Sequence, residues 1–127
     1  MDDQHPLVSL GVPADAGSIA IVRAIVASVA SKLALPYDAV DDLRIAAAEA
    51  STLLLTSGTT GSQLRVDLRP SPDDLHLTIW VTGVPSLPAD GHDGLAWRVI
   101  EGLADDVSES LVEGNHAIEL RMRTVAS

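Results

Sequence analysis

Residues 37–61, YDAVDDLRIAAAEASTLLLTSGTTG, contain the pattern around which the rest of the chain is organised. Apolar side chains recur at spacings of three and four residues, which predicts one amphipathic helix of about four turns. Its apolar side requires a partner surface, and a β-sheet provides one. Glu49 is a carboxylate near the edge of this stripe, and its role is the main functional question that the sequence raises. The residues of the stripe are Val40, Leu43, Ala46, Ala47, Ala50 and Leu54.

The segment before this helix predicts a first strand and a first helix. Residues 7–12 form a short apolar run that Pro13 ends, which is typical of a β-strand. Asp15 or Ser18 is suited to cap the helix that follows, and this helix ends before Pro36. Its apolar side consists of Ile19, Val22, Ile25, Val26, Val29 and Leu33.

The segment after residue 61 predicts two hairpins, with a loop and a third helix between them. Strict alternation of apolar and polar residues indicates half-buried strands, and the connections inside each pair are short enough for hairpins. The loop over residues 83–94 is rich in proline and glycine. The predicted boundaries are residues 63–69 and 75–81 for the first hairpin, 95–104 for the helix, and 106–112 and 117–123 for the second hairpin.

The resulting order of elements is β-α-α-β-β-α-β-β. This order predicts the α+β class, a two-layer sandwich in which helices cover a mixed, mostly antiparallel sheet. The chain has no repeat and no linker long enough to divide it, so residues 1–127 are predicted to form a single domain.

Composition narrows the classes of partner. The net charge is −10, from 18 acidic and 8 basic residues, and only 2% of residues are aromatic. Nucleic-acid binding requires basic surfaces and often aromatic stacking, so we expect no direct nucleic-acid partner and favour a basic protein partner instead. With no cysteine there is no disulfide or thiolate chemistry. No apolar run is long enough to cross a bilayer, and no leader pattern opens the chain, so we expect a cytoplasmic protein without membrane contact.

Several other side chains have ordinary structural interpretations. Arg44 can pair with an acid one turn away in the same helix. Trp80 falls on the polar side of its strand, where an exposed partner anchor, a dimer contact and a covered sheet face remain alternatives. The histidines have no acidic companion at ligand spacing, so we expect no metal site and place them on the surface. They are His5, His76, His92 and His116.

Beyond these patterns, several short motifs match a known family in order and spacing. They are Val12-Pro13-Ala14 before the first helix, Asp41-Asp42-Leu43-Arg44-Ile45-Ala46 leading to Glu49-Ala50, Gly83 after the second strand of the first hairpin, Gly94-Leu95 at the third helix, and Leu103-Ala104-Asp105-Asp106-Val107 after it. With these motifs the chain resembles the GHKL or Bergerat-type ATPase domain over residues 7–124. Within that group it resembles the anti-sigma factor/serine kinase family of bacterial partner switching, which implies the histidine-kinase-like ATPase fold.

The departures from the family pattern concern the nucleotide pocket. Leu53 stands where the family has the Asn that holds magnesium, and Val81 stands where it has the Asp that contacts adenine. Neither side chain has an oxygen, and Mg²⁺ takes oxygen ligands. The lid segment has prolines at 85 and 88, each of which removes a backbone donor. The resemblance therefore implies remnant ATP-site positions at Gly83, Gly91, Gly94 and Leu95, and we expect no cofactor and no metal.

The resemblance implies an anti-sigma regulatory factor that sequesters an RNA polymerase sigma factor. Partner switching with an anti-anti-sigma protein of the STAS type would control it, and relatives act as homodimers. The first alternative is an active ATP-dependent serine kinase of the same family, which phosphorylates the anti-anti-sigma protein and uses ATP with magnesium. In that case Glu49 would be the general base, whereas the favoured hypothesis makes it a remnant of one. The second alternative is a regulatory scaffold of this fold without a sigma partner.

Overall fold

The computed structural model describes residues 6–55, 61–87 and 91–124, and the order of elements predicted from the sequence is confirmed. The α+β class is also confirmed. A short 3₁₀ turn, Ala16–Ser18, lies between the first strand and the first helix. The strands are β1 (Val8–Pro13), β2 (Gln63–Pro70), β3 (Asp74–Val81), β4 (Asp106–Val112) and β5 (Asn115–Arg123), and the helices are α1 (Ile19–Lys32), α2 (Tyr37–Leu55) and α3 (Leu95–Leu103).

The five strands form one sheet in the order β1-β2-β3-β5-β4. All four pairings are antiparallel, so no parallel pair occurs among the described strands. Residues aligned across the sheet share a face, and the row Val8, Leu68, Leu77, Leu120 and Val107 lies on the inner one. The next row, Ser9, Asp67, Thr78, Glu119 and Ser108, lies on the outer face. Antiparallel sheets with one apolar face give this alternation.

The core lies between the inner face of the sheet and the helices. Leu64, Leu68, Leu77 and Ile79 have no solvent exposure and belong to one cluster with residues from all three helices. This arrangement makes two layers, because both the sheet and the helices have one apolar side to bury. None of the described helices combines the length and the hydropathy needed to cross a bilayer.

Helix α2 has the apolar stripe that its sequence predicts. Five of the six predicted residues are fully buried, and Val40 is half-buried against the same cluster. The helix ends at Leu55, and residues 56–60, which include Thr59 and Thr60, lie outside the described residues. The hydroxyls of Ser51 and Thr52 donate to the carbonyls of Ala47 and Ala48, the local bonding expected of such residues inside a helix.

The entry to α1 decides between the two capping residues that the sequence offers. The carboxylate of Asp15 accepts hydrogen bonds from the backbone N–H of Ser18 at 3.0 Å and from its hydroxyl at 3.2 Å. Ser18 itself makes no side-chain capping bond. Asp15 is therefore the cap, and it acts on the 3₁₀ turn that leads into α1.

The second hairpin has a tighter turn than the sequence predicts. Glu113 and Gly114 have φ values of +52° and +81°, the pattern of a two-residue type I′ turn. Asn115 and His116 belong to β5 and pair with Val112 and Leu111, so the predicted start of β5 at residue 117 is wrong. The type I′ twist matches that of the flanking strands and allows pairing directly up to the turn.

Trp80 lies on the outer face of the sheet but is only 6% exposed. The guanidinium of Arg65 lies 6.0 Å from the centre of its ring, a cation–π contact that covers one side. Trp80 also lines a groove of about 460 Å³ that runs from Arg69 on β2 to Val112 on β4. Of the alternatives for this residue, the exposed anchor is wrong because Trp80 is buried, whereas the dimer contact and the covered sheet face stay predictions.

Candidate functional site

The residues that the sequence nominates lie on neighbouring elements of the inner layer. Helix α2 packs against both β3 and α3, so Glu49, the end of β3 and the start of α3 belong to neighbouring elements. The positions belong to three local features: a helical turn in α2, a glycine turn after β3 and a glycine at the start of α3. The fold thus places the family's motif positions on elements that pack against each other or follow them directly.

Glu49 and Leu53 lie one turn apart on α2. Glu49 is half-buried, and it makes no hydrogen bond or ion pair with any other side chain among the described residues. Leu53 is half-buried and packs against the hydrophobic core. Arg44 pairs with Asp41 three residues before it, as the sequence predicts, so it is not a partner of Glu49. The carboxylate of Glu49 remains accessible for a contact from outside.

The end of β3 turns sharply at Gly83. The backbone N–H of Val84 donates to the carbonyl of Val81 at 3.3 Å, and Gly83 has a φ of +84°, the geometry of a type II turn with glycine at its third position. Val81 has no solvent exposure and Val84 is 1% exposed. The two valine side chains therefore fill the inner layer here and offer no hydrogen-bonding group.

The β4–β5 hairpin holds this turn in place. The side-chain oxygen of Asn115 accepts a hydrogen bond from the Gly83 backbone N–H at 2.7 Å, and the backbone N–H of His116 donates to the carbonyl of Val84 at 2.7 Å. The Asn115 amide nitrogen in turn donates to the carbonyl of Val112 at 3.1 Å. The Gly83 donor is thus satisfied within the protein.

A second set of contacts fixes the segment that precedes α3. The two oxygens of Glu109 contact Nε2 of His92 at 2.7 Å and Nε2 of His116 at 2.6 Å, so one carboxylate on β4 joins the loop and β5. The His92 ring also packs edge-on against Trp97 of α3, with 4.7 Å between ring centres. We call these residues, His92, Glu109 and His116, the histidine clamp. It connects three segments beside the candidate site.

The remaining predicted positions lie around the start of α3. Gly91 is buried, and Gly94 is the N-cap residue of α3 with an extended backbone and no side-chain capping bond. Leu95 is 77% exposed, so it is not part of the core. Pro88 falls outside the described residues, whereas Pro85 is exposed. Backbone donors are available at the first turn of α3, because helix N-termini leave them unpaired.

The histidine clamp is the feature that sequence reasoning missed. His92 and Glu109 are 17 residues apart and Glu109 and His116 are 7 apart, spacings without periodic meaning. His76 likewise contacts Glu119 across the β3–β5 pair at 2.6 Å. These three histidines thus have an acidic neighbour in space that their spacing in the sequence does not show. Within the described ranges, no group of three or more potential ligands could hold a metal ion.

A comparison with protein families decides the assignment. Residues 12–124 match the model described as the histidine kinase-like ATPase domain. The chain belongs to this family. The match covers every described element from the end of β1 onward, so the family resemblance drawn from the motifs is confirmed.

Comparison with individual proteins points to one group within the family. The chain is 34% identical over 105 residues to the anti-sigma-F factor RsbW from each of two strains of Mycobacterium tuberculosis. The aligned region covers 79% of this chain and 59% of the relatives, so the chain spans less than two-thirds of the length of the curated proteins it matches.

Proposed function

We infer that this protein is an anti-sigma regulatory factor. In this proposal it sequesters a sigma factor of RNA polymerase and releases it when an anti-anti-sigma protein competes for the same surface. The observation that carries the proposal is the similarity to an anti-sigma-F factor over 79% of the chain. The net charge of −10 adds support, because a sigma factor must present basic surfaces to DNA.

The proposal includes loss of the ATP site, so that regulation depends on competing protein affinities. Three features support this part. Val81 and Val84 occupy the end of β3 with apolar side chains, Leu53 packs on the core, and the Gly83 donor is used by Asn115. A magnesium nucleotide needs oxygen ligands for its metal and polar contacts for its base, and these positions supply neither.

Titration calorimetry with magnesium-ATP tests the loss of nucleotide binding. We expect no heat of binding at about millimolar nucleotide, which corresponds to a binding free energy weaker than about −4 kcal/mol. Leu53→Asn restores a polar side chain at a half-buried position of α2 and is the matched variant. Micromolar binding by the wild-type protein would overturn this part of the proposal. The proposal that the protein binds a sigma factor would not be affected.

The sigma partner is tested separately with purified proteins. A sigma factor encoded beside this gene should comigrate with the protein in size-exclusion chromatography, and the cognate anti-anti-sigma protein should displace it without nucleotide. Failure of every sigma factor of the source organism to comigrate would contradict the proposal and favour a scaffold role. A homodimer in the free protein, measured by sedimentation equilibrium, is part of the same proposal.

The kinase alternative is supported by one observation: Glu49 keeps a half-buried carboxylate that no described side chain engages. A general base for a serine hydroxyl needs such a free oxygen. Incubation of the protein with labelled ATP and the anti-anti-sigma protein distinguishes the two functions. Transfer of label that Glu49→Gln abolishes would establish the kinase, and absence of transfer supports the non-enzymatic regulator.

A further inference from the structure

Strand β4 is a free edge of the sheet. It pairs with β5 on one side, and no described strand pairs with it on the other. The type I′ turn at Glu113 and Gly114 makes Val112 and Asn115 a hydrogen-bonded pair, and the pattern alternates from there. The backbone groups of Asp106, Ser108, Ser110 and Val112 therefore face β5, whereas those of Val107, Glu109 and Leu111 face outward.

A contact on β5 supports this alternation. His116 stands opposite Leu111, in a pair without mutual hydrogen bonds, so its N–H must point away from β4. The N–H of His116 does so, because it donates to the carbonyl of Val84 at 2.7 Å. Three residues of β4 thus present backbone donors and acceptors at the edge, and no described strand pairs with them.

The two edges of the sheet differ in protection. Proteins commonly block edge strands with proline, lysine or arginine. At the other edge, β1 follows Pro6 and ends at Pro13. Residues 102–115, which contain β4, have no proline and no basic residue. Among the described residues, β4 thus has neither a proline nor a basic side chain at its edge, and Glu109 is the charged side chain on its inner side.

The side chains of the same three residues determine which side chains an added strand could place opposite them. Glu109 and Leu111 lie on the helix side of β4, two positions apart, while Val107 packs on the core. Leu111 is 68% exposed, an unusual state for a leucine on the inner side of a sheet. An added strand would place one residue opposite Glu109 and, two positions along, one opposite Leu111. The first position favours a basic residue and the second an apolar one.

Charge decides between a second copy of this chain and a different partner. Residues 102–115 contain four acidic residues, and antiparallel pairing of two β4 edges would bring these acids together, which destabilises a sheet. Some of these acids have partners within the protein. Asp106 pairs with Arg121 at 3.2 Å, and Glu109 contacts two histidines. The acids at this edge are Asp105, Asp106, Glu109 and Glu113.

We propose that the outer edge of β4 is a binding site for an extended segment of a partner protein, a segment in which basic and apolar residues alternate along one face. Backbone hydrogen bonds to Val107, Glu109 and Leu111 supply the affinity, and Glu109 and Leu111 supply the selectivity. This surface borders the candidate site, because Glu109 also belongs to the histidine clamp. It requires neither a sigma factor nor an antagonist, so its test is independent of the proposed function.

The test uses synthetic peptides of about nine residues, the length of a long strand. One peptide has alternating Lys and Val on one face and Thr on the other, and its control has Glu in place of Lys. Binding is measured by fluorescence anisotropy, and the site is located by amide hydrogen exchange. We expect the Lys peptide to bind more tightly than the Glu peptide and to protect the amides of Val107, Glu109 and Leu111.

Leu111→Pro removes one outward N–H without touching the bonds to β5, and Leu111→Ala removes only the side chain. We expect Leu111→Pro to weaken the Lys peptide about tenfold, and Leu111→Ala to weaken it less. If Leu111→Pro disturbs the hairpin, seen as lost protection of β5 amides, then Glu109→Gln takes its place. Glutamine keeps hydrogen-bonding groups for the histidine clamp but removes the charge, so the preference for the Lys peptide should disappear.

Three results would overturn the proposal: equal binding of both peptides by the wild-type protein, protection at amides away from β4, or no change in preference with Glu109→Gln. A fourth is self-pairing. If sedimentation equilibrium shows a dimer that Leu111→Pro dissociates, the occupant of the edge is a second copy of this chain.

Discussion

At the scale of single residues, Asn115 joins the turn after β3 to the β4–β5 hairpin. Its side-chain oxygen binds the Gly83 N–H and its nitrogen binds the Val112 carbonyl, so one amide connects the turn after β3 to the β4–β5 hairpin. The resemblance points to Gly83 as a remnant ATP-site position, yet the structure shows its donor engaged by a residue 32 positions away. A local motif thus has a long-range partner.

Replacement of Asn115 tests this connection. Asn115→Ala should lower the free energy of unfolding by about 1 kcal/mol, because it removes three side-chain hydrogen bonds at a partly exposed position. Urea unfolding measures this change, and hydrogen exchange at the Gly83 amide should accelerate. Asn115→Asp keeps the acceptor oxygen and is the matched control, so Gly83 should stay protected in that variant. Equal exchange rates at Gly83 in all three proteins would contradict the assignment.

At the scale of elements, the β4–β5 hairpin and helix α3 use glycine in opposite ways. Gly114 has a φ of +81°, a conformation that L-residues adopt at a cost, and open space surrounds it. Gly102 lies in α3, where a helical backbone suits alanine better, and it also faces open space. A Cβ added at either glycine meets no neighbouring atom. Substitutions at these two positions therefore report the effect of backbone conformation without a change in packing.

Alanine substitutions at these two glycines should change stability in opposite directions. Gly114→Ala should destabilise the protein by about 1–2 kcal/mol because of its left-handed backbone. Gly102→Ala should stabilise it by about 0.5–1 kcal/mol, since alanine loses less backbone entropy on folding. Thermal and urea unfolding of both variants under one set of conditions provides the comparison. A stabilised Gly114→Ala would show that the turn can adopt another type.

At the scale of the whole molecule, net charge governs how partners meet. A chain with a net charge of −10 attracts a basic protein over distances of about 10 Å at 0.1 M salt. The histidine clamp and the outer-face pairs, such as Arg69 with Asp67 at 3.1 Å, are short-range contacts inside the protein. These contacts do not change the net charge, so the long-range electrostatic potential of the protein stays negative.

If the proposed sigma complex forms, its association rate should depend on salt. We expect the association rate constant to fall about tenfold or more between roughly 0.05 and 0.5 M NaCl, while the dissociation rate changes much less. Stopped-flow fluorescence with the purified sigma factor measures both. An association rate independent of salt would mean that the acidic surface does not guide the encounter.

The sequence by itself determined the elements, their order and the side-chain chemistry at positions 53 and 81. The stripe on α2 and the alternation in β2 and β3 follow from spacings of a few residues, and the side chains of Leu53 and Val81 lack oxygen in any fold. Local periodicity was sufficient for these points. It did not place the start of β5, because the tight turn depends on two residues with positive φ.

Only the tertiary structure decided which strand forms a free edge, how Trp80 is buried and which groups meet at the histidine clamp. Each of these features depends on strand order and register between segments far apart in the chain. Their spacings have no period that a sequence pattern can show, since packing of the whole sheet against the helices sets them. The physical division is between contacts within one element, which spacing determines, and contacts between elements, which the fold determines.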